Sequence, residues 1–138
     1  MLIKFTEEKE IELKELLDLY NDANWTAYTS DPKVLENAIK NSFYVLTARH
    51  ENKLVGLLRI VGDGSTIAYI QDILVLKGFK RNKIGTQLIK SALEKFQTIR
   101  QKVLLTEDNT EQRSFYESLG FESCDKGQLV SFVKLENK

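Results

Sequence analysis

The stretch with the clearest chemical content is Lys77-Gly78-Phe79-Lys80-Arg81-Asn82-Lys83, a turn with four positive charges and one glycine. Before it lies a dense aliphatic run, Ile70, Ile73, Leu74, Val75 and Leu76, which reads as a strand buried on both faces. After it, Ile84, Leu88, Ala92 and Phe96 recur at helical spacing, and Ile89 and Leu93 widen the stripe. The turn therefore sits at the N-terminus of an amphipathic helix. Such an end presents free amide N–H groups and a partial positive charge, and added lysine and arginine make it attractive to phosphate. A solvated turn whose lysines bind nothing is the plain alternative.

Other residues carry less specific signals. Asn109 stands where a short helix would begin, with Gln112, Phe115, Tyr116 and Leu119 along one side and Gly120 at its end. Trp25 and Tyr28 form a brief aromatic stretch expected in a loop. His50 falls in a polar hairpin turn and reads as solvated. Cys124 reads as an ordinary small residue near a strand end.

The elements that must position these groups follow from the pattern. Leu2 to Phe5 is a short strand. Thr6 is a candidate cap for a helix from about Lys9 to Asn21, with Ile11, Leu13, Leu16, Leu17 and Tyr20 as its stripe. Asp31-Pro32 opens a second helix, Asp as N-cap and Pro at the first position, with Val34, Leu35, Ala38 and Ile39 buried. Phe43 to Arg49 and Leu54 to Val61 form a hairpin. Gly62-Asp63-Gly64-Ser65 is a turn into a third strand, Thr66 to Leu76. Gln101 to Thr106 follows the helix and pairs parallel with that third strand. Phe121 to Ser123 and Gln128 to Leu135 are the last strands. A three-stranded antiparallel meander followed by a helical crossover is a mixed α/β plan.

Composition bounds the rest. The 138 residues fit one domain, read as 1–138, with neither repeat nor linker. Lys+Arg 20 balances Asp+Glu 20, which argues against nucleic acid as partner. A single cysteine rules out an intrachain disulfide and the cysteine pairs of a zinc site, so no metal is expected. No apolar run is long enough to span a membrane, and the acidic N-terminus is unlike a signal peptide. The expected location is cytoplasmic.

Two segments together resemble the GNAT superfamily of N-acetyltransferases. The first is Ile73-Leu74-Val75 with the basic turn and Arg81-Asn82-Lys83-Ile84-Gly85-Thr86, similar to the acetyl-CoA-binding motif Gln/Arg-x-x-Gly-x-Gly/Ala. Gly85 matches, whereas Lys80 and Lys83 replace the usual Gln or Arg and the first glycine. The second is Asn109 to Phe121, similar to the downstream signature Asn-x-x-Ala-x-x-Phe-Tyr-x-x-x-Gly-Phe. Asn109, Phe115, Tyr116, Gly120 and Phe121 match, and Gln112 stands in place of alanine. The likeness covers most of the chain and is weakest before Phe43.

The resemblance implies a GNAT-like α+β fold with a mostly antiparallel sheet of six to seven strands and about four helices. It implies acetyl-CoA as co-substrate, its pyrophosphate on the amides from Arg81 to Thr86 and its phosphates within reach of Lys77, Lys80 or Arg81. Lys83 keeps an amide contact if no positive φ is required there. Ile73, Leu74 and Val75 would pair with the pantetheine arm where two strands splay, and an amide near Leu74 or Val75 would hold the oxyanion. Tyr116 aligns with a tyrosine near the coenzyme sulfur and would assist the departing thiolate; its other reading is a core tyrosine. Asn109 either contacts pantetheine with Phe115 nearby or simply caps its helix. The positions facing the acceptor are Tyr69 and Gln71. Neither is a strong base, so Gln71 is assigned a water that removes the proton. Alternation points Asp72 to the opposite face. Trp25 and Tyr28 either wall an amine pocket, with Arg59 or Asp63 nearby, or pack as core.

The activity so implied is acetyl transfer to an amine, a small molecule being favoured, by direct attack in a ternary complex. A non-catalytic CoA-binding module and a protein lysine or N-terminal acetyltransferase are the alternatives. A free edge at Leu129 to Leu135 would permit a homodimer.

Overall fold

The structure, a computed structural model, describes residues 1–136. The chain divides into two compact units, Met1–Leu104 and Leu105–Lys138. The first holds strands β1 (Lys4–Glu7), β2 (Tyr44–His50), β3 (Lys53–Gly62), β4 (Ile67–Val75) and β5 (Gln101–Leu104), and helices α1 (Leu13–Asp22), α2 (Thr26–Thr29), α3 (Pro32–Lys40) and α4 (Ile84–Lys95). The second holds α5 (Thr110–Ser118) and a 3-10 turn at Cys124–Lys126. The sheet order is β1-β2-β3-β4-β5, antiparallel up to β4 and parallel between β4 and β5.

The meander forms because its turns suit it. Glu51 and Asn52, with φ of 49° and 69°, make the left-handed two-residue turn whose twist matches the β2–β3 hairpin. Between β3 and β4, the Asp63 carboxylate accepts from the amides of Ser65, Thr66 and Ile67 at 2.9, 2.7 and 3.2 Å. Those bonds and one from the Thr66 hydroxyl hold its pKa well below the usual carboxylate range. Gly62 is required there, since a Cβ would stand 2.2 Å from the Ile67 carbonyl oxygen.

β3 is buried from Leu54 to Ile60, so both faces of the sheet are covered. On one face Val45, Leu57 and Leu74 pack with Leu16, Leu19 and Tyr20 of α1 and Leu35 and Ile39 of α3. On the other, α4 presents Ile84, whose Cγ2 would lie 3.2 Å from a Cβ at Gly56. Gly56 thus lets the α4 N-terminus approach β3 and β4 closely.

Several expectations need correction. Thr6 does not cap α1: it lies in β1, and the helix starts at Leu13 without a side-chain cap. Trp25 to Tyr28 is not a loop, because Thr26–Thr29 forms one helical turn, which brings the helix count among the described residues to five. The sheet has five strands among the described residues, not six or seven. Phe121 to Ser123 and Gln128 to Leu135 are irregular, so Cys124 lies in a 3-10 turn and at no strand end. Leu129, Val130, Phe132, Val133 and Leu135 are all at least 62% exposed. Alternation specifies two faces, but a strand also needs a partner for its backbone groups, and no ladder among the described residues includes this one.

Candidate functional site

The anion cradle begins where β4 ends. A 3-10 turn, Lys77–Phe79, is anchored by the Lys77 amide donating to the Asp22 carboxylate at 2.7 Å. The backbone then turns left-handed twice, at Arg81 (φ 70°) and Lys83 (φ 59°). Lys83 is the N-cap of α4 and offers no side-chain cap bond. A positive φ is therefore required at the position where the motif has glycine. The ordinary helical angles expected for Lys83 are not adopted, and its Cβ is strained there.

This geometry leaves the amides of Ile84, Gly85 and Thr86 without an i−4 carbonyl, the first helical bond of that kind being Gln87 N–H to Lys83 at 3.0 Å. The side chain of Ile84 is 1% exposed, so Ile84 offers only its backbone. Gly85 is open: a Cβ there would meet only Val75 Cγ2, at 3.9 Å. The Asn82 side-chain amide donates to the Phe79 carbonyl at 3.0 Å and the Lys80 carbonyl at 3.5 Å, which draws two oxygens away from any bound anion. Among the described residues, none of Lys77, Lys80, Arg81 and Lys83 forms an ion pair. Free amides, a helix dipole and unpaired cations fit a diphosphate.

Beside the cradle, β4 is unpaired along one side. Its register with β5 runs only from Ile67↔Gln101 to Ile70↔Leu104, whereas β4 continues to Val75. On its other side Asp72 to Val75 pair with β3. The Leu76 amide donates to Val55 of β3 at 2.9 Å. Antiparallel alternation then turns the backbone groups of Ile73 and Val75 away from β3, toward the unpaired side. Of the two amides expected near the oxyanion, Val75 has this direction and Leu74 does not.

The acceptor-side residues are arranged differently from their alternation. Across β3, Arg59 pairs with Asp72 and Ile60 with Ile70, so Gln71 is the extra residue of a β-bulge. Gln71 is exposed, while Asp72 is 3% exposed. The expectation that Asp72 turns away from Gln71 fails, because both reach the Tyr28 hydroxyl. Tyr28 donates to Asp72 Oδ1 at 2.8 Å and accepts from Gln71 Nε2 at 3.0 Å. Asp72 Oδ2 also accepts from the Tyr20 hydroxyl at 2.9 Å and Arg59 Nε at 2.7 Å. Burial and the neighbouring carboxylate push the Tyr20 and Tyr28 phenols above their ordinary value. Burial works against the charge on Arg59, yet Asp72 beside it holds its pKa up.

Trp25 packs edge-on to Tyr20, ring centroids 5.8 Å apart, and Tyr28 lies 5.2 Å from Tyr20. Trp25 is thus fastened to the core, while Tyr28 also turns its hydroxyl to Gln71. Tyr69 is half-buried, its phenol raised by burial and then by Asp72. Asp63 belongs to the β3–β4 turn. Sequence reading placed Tyr20 only in the stripe of α1, Arg59 only near the acceptor and Asp72 only on the opposite face, and missed that the three meet. A signal was present: Arg59 and Asp72 are each a lone charge inside an apolar strand run, and the hairpin register places the two opposite each other. A hollow of about 370 Å³ bordered by Glu7, Glu8, Lys9, Phe43, Tyr44 and Val45 contains none of the residues named for chemistry.

Within the second unit, Asn109 caps α5, its side chain accepting from the Gln112 amide at 2.8 Å. Gly120 follows the C-cap with φ 94°, as a helix-ending glycine should. Tyr116 is 8% exposed and sits between Phe115 and Phe121, centroids 4.9 and 5.8 Å away. Burial pushes its phenol up to about 12, and its hydroxyl makes no hydrogen bond within the described residues. It is a protonated donor over the working pH range of most enzymes.

Residues 2–135 match the family described as Acetyltransferase (GNAT) domain. Among solved structures, a GNAT-family acetyltransferase from Streptococcus pneumoniae TIGR4 is 30% identical, with TM-score 0.87, covering 99% of this chain and 100% of its own. An aminoglycoside acetyltransferase from an uncultured soil metagenomic sample, in complex with sisomicin, is 22% identical (TM-score 0.71; 98% and 97% covered). A PaiA N-acetyltransferase from Thermoplasma acidophilum, in complex with coenzyme A, is 17% identical (TM-score 0.72; 89% and 91% covered). No curated protein matches the chain.

Proposed function

The chain belongs to the GNAT family of acetyl-CoA-dependent N-acetyltransferases, and from that membership we propose that it acetylates a small-molecule amine by direct attack in a ternary complex. The observation that carries this reading is one juxtaposition inside the first unit. The unpaired side of β4, from Gln71 to Val75, leads straight into the open N-terminus of α4. A ligand with an amide-rich arm and a diphosphate fits that sequence of groups.

Bound acetyl-CoA supplies an activated acyl group that an unprotonated amine can attack. The residues of this chain do the rest. Lys80, Arg81, Asn82, Lys83, Ile84, Gly85 and Thr86 hold the phosphates, largely through backbone N–H groups. Ile73 and Val75 pair with the arm as an added strand would, and the Val75 amide steadies developing negative charge on the carbonyl oxygen. Family membership alone assigns Asn109, Phe115 and Tyr116 of the second unit to the coenzyme, Tyr116 as donor to its departing sulfur. A phenol near 12 remains protonated until a thiolate needs a hydrogen bond. Gln71 holds the water that takes the amine proton, and Trp25, Tyr28 and Tyr69 border the acceptor. Direct attack is favoured because no side chain among the described residues is set up as an activated nucleophile. The reading treats 1–138 as one domain and places it in the cytoplasm. It also includes a homodimer, in which the exposed apolar run Leu129 to Leu135 is covered by a second copy.

The test is a thermal shift with acetyl-CoA, against dephospho-CoA and ATP, repeated on Gly85→Ala. At about a hundredfold its dissociation constant, a ligand stabilises by about 2.7 kcal/mol. Acetyl-CoA should stabilise most and ATP not at all. Gly85→Ala should fold normally, since a Cβ there meets only ordinary contact, yet lose most of the shift. No shift at millimolar acetyl-CoA would refute the cradle. Binding without acetyl transfer to any amine of a broad panel would refute catalysis.

A further inference from the structure

We propose that the buried Asp72 acts through Tyr28 as a positioning residue. Together they fix the side-chain amide of Gln71 so that its carbonyl oxygen, Oε1, is offered to an N–H of the acceptor amine. This rests on the acetyltransferase reading and deepens it.

The argument is one of hydrogen-bond polarity. The Tyr28 hydroxyl has one proton to give and two neighbours, Asp72 Oδ1 at 2.8 Å and the Gln71 side-chain amide at 3.0 Å. Asp72 also receives Arg59 Nε at 2.7 Å and the Tyr20 hydroxyl at 2.9 Å, both on Oδ2. A proton on Oδ1 would leave a guanidinium whose side chain is 7% exposed without a countercharge. Asp72 therefore only accepts, and Tyr28 must give it the proton. The Tyr28 oxygen is then an acceptor toward Gln71, and only Nε2 can donate to it. The amide orientation of Gln71, which is otherwise free to flip, is set by a carboxylate it does not touch. Gln71 is exposed on a bulge of the strand that carries the cofactor motif. Its Oε1 is the acceptor end that remains, with two lone pairs, one for the acceptor N–H and one for the water that carries the proton away.

The polarity suits the reaction. A carboxylate at this place would favour the ammonium form of the acceptor and oppose the proton loss that must precede attack. A neutral carbonyl accepts from ammonium and amine alike, and so keeps its grip while the proton leaves. The negative charge that sets the direction is spent on Arg59 beneath the surface. The ligand class is accordingly a primary amine, which keeps an N–H for Oε1 from ammonium through neutral amine to the product amide.

The experiment uses the full chain, with 1,4-diaminobutane, 2-phenylethylamine and other aliphatic primary amines as acceptors, and has two arms. In the first, side-chain amide NMR of the free protein should show the Gln71 Nε2 protons close to the Tyr28 ring and slow to exchange, and Tyr28→Phe should abolish both. A Gln71 amide that exchanges like a surface glutamine in the wild type overturns the proposal, whatever the activity. In the second arm, Tyr28→Phe should raise KM for the amine about tenfold while leaving KM for acetyl-CoA unchanged. Tyr28→Phe combined with Gln71→Leu should be no worse than Gln71→Leu alone, because the ring that borders the acceptor is kept and the hydroxyl removed acts on the amine only through Gln71. Additive losses, or an unchanged KM in Tyr28→Phe, overturn it. If the wild type binds acetyl-CoA yet acetylates none of the amines, the acetyltransferase reading fails, and the NMR arm still decides the polarity.

Discussion

Removing the Asp72 carboxylate should be the most damaging single change available in the first unit that keeps the branching of the side chain. Asp72→Leu leaves the Arg59 guanidinium, 7% exposed, without the countercharge now 2.7 Å away. It also removes the acceptor of the fully buried Tyr20 hydroxyl and of Tyr28. Breaking a buried pair by deleting one partner costs about 3–5 kcal/mol. The orphaned Tyr20 hydroxyl accounts for part of that rather than a separate sum. A domain of this size has about 5–15 kcal/mol in total. The assay is urea unfolding followed by fluorescence of Trp25, the one tryptophan, which packs 5.8 Å from Tyr20. With a urea slope of about 2 kcal/mol/M, a loss near 4 kcal/mol moves the midpoint down by about 2 M. Asp18→Ala is the internal control: its pair with Lys14 has a similar distance, 3.0 Å, but side chains 78% and 65% exposed, and should cost under about 0.5 kcal/mol. Adding Arg59→Met to Asp72→Leu should recover at least half the loss, since no charge then remains buried. An Asp72→Leu cost no larger than that of Asp18→Ala would refute the reasoning.

Lys83→Gly should raise the urea midpoint by the equivalent of about 0.5–1 kcal/mol. It relieves a left-handed residue, a gain partly offset by the freer unfolded chain. Acetyl-CoA should still bind through the unchanged amides, its affinity lowered only by the loss of one of the four cations of the turn. Absorbance titration at alkaline pH should show Tyr44 and Tyr116 ionising late, near 12, both held up by burial, with Tyr20 also held well above its ordinary value by burial and Asp72. Raised phenols contribute stability that is intact below about 10 and lost as pH climbs through about 12. Tyr116→Phe should remove one late step. Sedimentation velocity should show a dimer that Phe132→Asp, at a side chain now 92% exposed, dissociates without lowering the thermal midpoint of the monomer.

How much was legible in advance depends on which interactions are local. Asp31-Pro32 announced α3, and the structure has the Asp31 side chain accepting from Val34 as an N-cap does. Asn109 and Gly120 bracketed α5, and the basic turn fell at the head of α4, because caps and turns are decided by residues a few positions apart. Thr6 misled for the same reason in reverse: its local signal was outbid by the pairing of β1 with β2, 41 residues away. Gln128 to Leu135 shows the limit of periodicity, which assigns faces but cannot supply the strand that satisfies a backbone.

At the candidate site the sequence by itself determined the composition: an anion cradle, an apolar strand leading into it, and a glutamine where a base would stand. Tertiary structure decided three things. The left-handed turn at Lys83 follows from fitting the head of α4 against Gly56 and the end of β4, a distance constraint no local pattern contains. The unpaired side of β4 arises because β5 is only four residues long, so pairing stops at Ile70. The direction of Gln71 is set by a bulge and by a carboxylate whose partners come from α1, α2 and β3, brought together across 44 to 52 residues of chain for the two tyrosines and 13 for the arginine. Hydrogen-bond polarity is a property of the whole chain of donors and acceptors, and that chain exists only once the fold has closed.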